Sequence, residues 1–318
     1  MSRYYKYSQY LKDLYGVKTY KISLNLPLTC PNRDGSLGTG GCDFCGETGG
    51  VFSEQISPDE IKKQFLETRE NIRDKYGAKK FIAYYQNFTN TYQPLEQLKE
   101  YITPVIKTDD LVEVVLSTRP DCINDRYLTE LTGWLKNNNP EVNLGLELGL
   151  QTVNYHTLEK INRGHTLAEF IDTVLRAQKH NIKIGVHLIL NLPGDKRIDA
   201  VENARILSAL KVDNVKLHAL YIRKGTRLAK KYKAKKLKPI PFPEYRERVI
   251  SFLKHLAPDI AIQRLLGNAP EEETLFLNWG KNRWKLRDSI LKEMENRETK
   301  QGDKCNYLNG KALKYIDK

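Results

Sequence analysis

Short apolar runs rich in β-branched residues alternate along this chain with longer amphipathic stretches. The runs 22–26, 81–85, 111–117, 142–148, 184–190 and 215–221 predict strands, because each is brief, apolar and bounded by polar or turn residues. The stretches 58–76, 95–106, 126–137, 166–179, 198–210 and 242–256 carry apolar residues at helical spacing and predict helices. Ser57-Pro58-Asp59-Glu60 is a helix start: a Ser cap, Pro in the first turn, then acids against the dipole. Strand followed by helix, six times over, predicts an α/β protein with a parallel sheet and right-handed crossovers. Six units fall short of the eight that close a full barrel, so a partial barrel and a doubly wound sheet both fit. Beyond about Pro258 the alternation changes. Residues 260–266 read as one more strand, 284–296 as a charged helix, and the tail as polar. The expected organisation is a core over 1–257 and an extension over 258–318 packed on it.

Composition narrows the class without naming a function. The chain has 318 residues, of which 40% are hydrophobic and 29% charged, enough for a sizeable core. No apolar run approaches the ~20 residues of a membrane helix, and the N-terminal residues lack an apolar signal segment. Collagen, disorder, a disulfide scaffold and a membrane protein are set aside, and the expected location is the cytoplasm. The formal charge is +13, and it is concentrated. From 211 to 238, eleven Lys and Arg face the single acid Asp213, a net +10. A polyanion such as RNA would gain affinity there through counterion release, while a well-solvated helix face explains the same charge. The residues concerned are Arg223, Lys224, Arg227, Lys230, Lys231, Lys233, Lys235 and Lys236, with Tyr221, Tyr232 and Tyr245 nearby as candidates for base stacking.

The five cysteines change the picture more. Cys30, Cys42 and Cys45 fall within 16 residues, in a loop spanning 28–46 that follows the first strand, with spacing C-x11-C-x2-C. Cys122 and Cys305 lie apart. An odd count without a signal segment argues against disulfides. The x2 pair places two thiolates on one side of a turn, and the glycine-rich span lets Cys30 fold back to form a triangle. In a parallel α/β sheet this loop lies at the carboxyl end of a strand, where active sites form. Thiolates select zinc or iron–sulfur. Three cysteines suit a four-iron cluster with one iron left for an outside ligand. Zinc stays open, because Cys122 or a histidine could complete a four-ligand site.

The segment Cys30-Pro31-Asn32…Gly41-Cys42-Asp43-Phe44-Cys45 resembles the radical S-adenosylmethionine (SAM) superfamily. It is most similar to the branch related to the Elongator catalytic subunit and to oxygen-independent coproporphyrinogen oxidase. Later segments fall in register with that branch: Tyr85-Gln86-Asn87-Phe88-Thr89, Ser117-Thr118-Arg119-Pro120-Asp121, Gly149-Leu150-Gln151-Thr152, Asn162-Arg163-Gly164-His165, and His187-Leu188-Ile189-Leu190-Asn191-Leu192-Pro193-Gly194. The resemblance implies a partial (βα)6 barrel of the TIM type with a short C-terminal α/β extension. It implies a [4Fe-4S] cluster on Cys30, Cys42 and Cys45 and SAM bound near Asn87, Thr89, Ser117, Gln151, Arg163, His187 and Leu220. Arg163 would grip the SAM carboxylate, and His187 would touch the ribose. Reduction by a donor such as flavodoxin or ferredoxin would cleave SAM to a 5′-deoxyadenosyl radical. Small stand-alone bacterial members of the branch imply tRNA as substrate, with wobble uridine altered at carbon 5, for example from carboxymethylaminomethyl to aminomethyl. A radical SAM enzyme acting on a small molecule or a protein, and a zinc-stabilised RNA-binding protein without catalysis, are the alternatives.

Overall fold

The computed structural model describes residues 2–46 and 57–316. In chain order the elements are α1 (Tyr7–Tyr15), β1 (Thr19–Leu24), α2 (Pro58–Tyr76), β2 (Lys80–Tyr85), α3 (Leu95–Ile106), β3 (Leu111–Thr118) and α4 (Asp125–Asn138). Next come β4 (Asn143–Gln151), α5 (Tyr155–Lys160), α6 (Leu167–Lys179), β5 (Lys183–Ile189), α7 (Arg197–Ala209), β6 (Asn214–His218) and β7 (Ile222–Arg223). The chain then forms α8 (Arg227–Lys233), α9 (Phe242–His255), β8 (Ala261–Arg264), β9 (Thr274–Phe276) and α10 (Arg283–Asn296). Seven strands are hydrogen-bonded in the order β1-β2-β3-β4-β5-β6-β8. The expected α/β class holds, with a seventh sheet strand supplied from beyond residue 257. No helix among the described residues is long and apolar enough to cross a membrane.

The chain divides into two compact units. One comprises residues 8–150 and 161–187. Here β1, β2, β3 and β4 pair in parallel, with Ile82 opposite Glu113 and Ser117 opposite Glu147. β2 and β3 are buried along almost their whole length, as strands covered on both faces must be. Helix α2 begins as expected: Ser57 Oγ accepts from the Glu60 amide, the Glu60 carboxylate accepts from the Ser57 amide, and Gly77 closes the helix at φ 63°. The first strand starts three residues before the predicted run and ends before Leu26. Pro27 follows Leu26, and the Leu26 amide bonds the Asn87 side chain instead of a strand ladder. Helix α1 escaped the apolar pattern because it buries only Leu11.

Register places Lys21, Glu113, Ser117 and Glu147 on one face of this sheet. Glu113 is buried and accepts from Tyr15 Oη of α1 at 2.9 Å. Gly145 is glycine for a steric reason. A Cβ there would overlap the Glu113 carboxylate and come within 3.0 Å of Val115 Cγ2. Gly145→Ala is therefore expected to cost ~1–3 kcal/mol through overpacking, readable as a lower urea midpoint; an unchanged midpoint would refute this account.

The other unit comprises residues 1–7, 151–160 and 188–318. β8 pairs in parallel with β6, Asn214 opposite Ala261. The N-terminal segment adds a bridge, with the Ile262 amide bonded to the Tyr5 carbonyl at 2.8 Å. Buried Gln301 ties these pieces together: its Nε2 donates to the carbonyls of Ala257 and Ile260, and its Oε1 accepts from the Tyr5 amide. The predicted run 215–221 holds a shorter strand. β6 ends at His218, and Ile222–Arg223 pairs antiparallel with β9. Helix α8 is too short to show periodicity and is held instead by its cap, Thr226 Oγ1, which accepts from the Ala229 amide at 3.1 Å.

Candidate functional site

The cysteine loop is built by backbone turns. The Arg33 amide donates to the Cys30 carbonyl at 2.8 Å and the Cys45 amide to the Cys42 carbonyl at 2.9 Å, so the last two thiols sit on one tight turn. The Gly41 amide returns to the Asn32 carbonyl at 2.8 Å, which brings the two ends of the glycine-rich span together. The loop is latched to the segment after β4: the Asp43 amide donates to the Ile161 carbonyl, Asn162 Nδ2 to the Gly41 carbonyl at 2.8 Å, and Asn32 Nδ2 to the Asn162 carbonyl at 2.6 Å. Gly164, at φ 76°, leaves room for this, since a Cβ there would stand 2.9 Å from Asn32 Oδ1.

Nitrogen donors approach two of the three sulfurs, those of Cys42 and Cys45. Arg33 Nη1 lies 3.5 Å from Cys45 Sγ, Arg163 Nη1 lies 3.5 Å from Cys42 Sγ, and Asn32 Nδ2 lies 3.6 Å from the same sulfur. Burial pushes the Cys45 thiol up, the Cys42 sulfur adds to this, and Arg33 opposes it. Arg163 also donates through Nε and Nη2 to the Gly149 carbonyl. Its guanidinium thus links the end of β4 to the loop. Arg119 is buried, bonded twice to Asp121 and once to the Arg163 carbonyl at 2.8 Å. His165 spans the Thr166 and Gly149 carbonyls. Burial, with Arg163 and Arg119 beside it, pushes it down to about 3 and keeps the ring neutral.

The donor set fits an iron–sulfur cluster. Among the described residues, no three His, Cys, Asp or Glu side chains gather closely enough to hold one metal ion. A cube of iron and sulfur holds its thiolates at outer corners, farther apart than the ligands of a single ion, and N–H groups aimed at sulfur are partners that tune such clusters. Burial, reinforced by Asp121, pushes the Cys122 thiol up to about 12, and its Sγ lies 3.7 Å from Asp121 Oδ1.

The remaining predicted residues divide between the units. In the unit with the cysteines, Asn87 uses its amide on both backbone groups of Leu26, closing the ends of β1 and β2. Thr89 is buried in the loop after β2. Asn90, which the sequence reading gave no role, pins this loop by donating from its amide and side chain to the Ser117 carbonyl. Ser117 itself is half-buried at the end of β3. His187 Nε2 lies 2.6 Å from Glu147 Oε2, and Lys21 binds the other oxygen of that buried carboxylate. In the other unit, Gln151 ends β4 at φ 76°. Leu220 is buried, with its amide donating to Asn191 Oδ1 at 2.6 Å. Lys224, Arg227, Lys230, Lys231, Lys233, Lys235 and Lys236 are exposed on and around α8, whose Leu228 and Ala229 face inward. Arg223 pairs with Glu273 across β7 and β9. Arg33, Asn32 and Arg119 are the members of the site that were not singled out; a cation inside the cysteine spacing was the available signal for Arg33.

Residues 30–207 match the Radical SAM superfamily, and residues 212–296 match the Radical_SAM C-terminal domain. The chain is 35% identical over 303 residues to the protein YtqA of Bacillus subtilis, covering 94% of this chain and 92% of that one. It is 27% identical over 212 residues to a tRNA uridine(34) acetyltransferase of Methanocaldococcus jannaschii, covering 64% of this chain and 36% of that one. Among solved structures, the Elp3 protein of Methanocaldococcus infernus superposes with a TM-score of 0.65 at 15% identity, over 89% of this chain and 64% of that one. This likeness shows the fold, the partial barrel of radical SAM enzymes. A match that begins at the first cysteine of the loop and runs through more than half of the chain settles the assignment: this protein belongs to the radical SAM superfamily, whose enzymes use a [4Fe-4S] cluster, SAM and an electron donor.

Proposed function

We propose that this chain is a radical SAM enzyme of the cytoplasm that modifies tRNA, altering the carbon-5 side chain of the wobble uridine. The observation that carries this reading is the likeness, over 64% of the chain, to a tRNA uridine(34) acetyltransferase. The exposed basic stretch on and around α8 supports it, because a net +10 over residues 211–238 suits a polyanion.

When bound, the cluster and SAM supply a 5′-deoxyadenosyl radical that can abstract hydrogen from an unactivated C–H bond. The work of the chain's own residues is to hold and bias that chemistry. Cys30, Cys42 and Cys45 are the thiolate ligands. Arg33, Arg163 and Asn32 offset thiolate charge on Cys45 and Cys42 with N–H donors held in fixed directions. Asn162 and Asn32 lock the loop to the segment after β4, which limits how far the ligand triangle can spread. Ser117, at the end of β3, presents a polar group for SAM. Arg163 keeps donor capacity for a carboxylate beyond its bonds to Gly149.

Two measurements test the reading. Nucleosides from tRNA of cells lacking the protein should show wobble uridine stalled at an earlier carbon-5 side chain, by mass spectrometry against the parent strain. Purified protein should bind tRNA with an affinity that falls steeply with salt, on the order of one unit of slope for each phosphate contacted. An unchanged nucleoside profile would overturn the tRNA assignment and leave a radical SAM enzyme with a small-molecule or protein substrate.

A further inference from the structure

A cavity of about 670 Å³ opens in the C-terminal part of the chain, lined by Asn268, Glu271, Lys281, Asn282, Arg283 and Trp284 among others. Its size falls within the ~300–1,000 Å³ of small-molecule sites. One wall is a backbone run in the left-handed region: Asn278 at φ 46°, Trp279 at φ 52° and Gly280 at φ 66°. Non-glycine residues persist there only when their surroundings hold them. Trp279 is so held, with Nε1 donating to the Ile240 carbonyl at 2.7 Å and its ring centroid 5.1–5.7 Å from those of Phe242, Tyr245 and Phe276. The wall is preformed.

At the rim stands a second tryptophan with the opposite character. Trp284 is 51% exposed, and the guanidinium carbons of Arg283 and Arg287 lie 4.6 and 4.7 Å from its ring centroid. Lys281, Arg283, Lys285 and Arg287 put four cations into seven residues; Arg287 donates from Nε and Nη2 to Asp288 Oδ1, and Glu271 is the acid on the cavity lining. The rim is tied to the basic stretch, because β9 pairs with β7 and the Lys224 amide donates to the Glu273 carbonyl at 2.8 Å. An indole left half exposed carries apolar surface in water. Unpaired bases stack on aromatic rings and on guanidinium planes, while flanking cations take the phosphates.

We propose that Trp284, with Arg283 and Arg287, is a docking site for an unpaired RNA base at the mouth of this cavity; the proposal deepens the tRNA reading above and rests on it for the source of the RNA. The full-length protein is titrated with unmodified tRNA and with a fluorescent, unstructured RNA of about ten nucleotides, across a salt series. Trp284→Ala should weaken binding about tenfold or more with the salt slope unchanged, since stacking releases no counterions, and Trp284→Phe should restore most of it. Arg283→Gln should lower the slope by about one unit. Basal formation of 5′-deoxyadenosine by Trp284→Ala should match wild type, showing an intact enzyme. If the wild type binds tRNA and Trp284→Ala binds both RNAs equally well, the docking site is refuted, the function stands, and the indole is left to a protein partner. If the short RNA binds through Trp284 while cellular wobble nucleosides are unchanged, the docking site stands and the function falls. A wild type that binds neither RNA overturns the docking site.

Discussion

Cys45→Ala, purified without oxygen, is expected to be colourless, to carry little iron or sulfide, and to form no 5′-deoxyadenosine from SAM and a reductant. The reason is a shortage of replacements. Cys45 sits on the turn closed by its amide on the Cys42 carbonyl, and Arg33 Nη1 points at its sulfur from 3.5 Å. Cys122 donates its thiol to Asp121 Oδ1 at 3.7 Å and is pushed up to about 12 by burial and that carboxylate, so ionising it as a replacement ligand is costlier than for an ordinary thiol. Partners outside the ligand shell typically cost 10–100-fold in metal affinity when removed, and a ligand itself costs more. Arg33→Gln therefore sets a lower bound, retaining the cluster but losing it about tenfold more readily to a chelator. Cys305→Ala is the control and should load as wild type does. Wild-type iron, sulfide and product formation in Cys45→Ala would sink the ligand assignment.

Local chemistry made much of the architecture legible. The helix from Pro58 could be read at both ends because its signals are adjacent in sequence: Ser57 before it, acids in its first turn, Gly77 after it. The parallel strands could be read because a strand covered on both faces must be apolar throughout, as β2 and β3 are. The cysteine loop announced itself by spacing. What stayed hidden is long-range. Glu147 meets Lys21 at a separation of 126 residues and His187 at 40, so no spacing along the chain betrays that His187 has a carboxylate partner. Asn87 looks like a polar site residue by position, yet its amide completes the hydrogen bonding of Leu26, which lies beyond the end of β1 and just before Pro27. The short elements α8, β7 and β9 depend on caps and pairing across 50 residues, not on periodicity.

Arg119→Met should be the most destabilising single change near the site, costing ~3–5 kcal/mol in urea unfolding near pH 7. The Arg119 and Asp121 side chains are 2% and 8% exposed, and the guanidinium holds both carboxylate oxygens, at 2.8 and 2.6 Å, in a bidentate pair. Methionine fills much of the volume but leaves a buried carboxylate without its cation and takes a donor from the Arg163 carbonyl. The pH dependence follows from the direction of the Asp121 shift. Burial alone would raise this carboxyl, but the Arg119 hydrogen bonds and charge outweigh it and hold it below the ordinary range. A depressed carboxyl contributes stability that is fully present above its unfolded value of about 4 and is lost as pH falls through the folded value. The gap between wild type and Arg119→Met should therefore be widest near neutrality and narrow in acid below about pH 4. Arg119→Met/Asp121→Leu should recover part of the loss, because removing both charges spares the desolvated carboxylate. A gap that stays constant from pH 7 down to 3, or a double variant no better than the single one, would mean that Arg119 acts by packing alone. The latch around Asn32, Asn162 and Arg163 would then owe nothing to this ion pair.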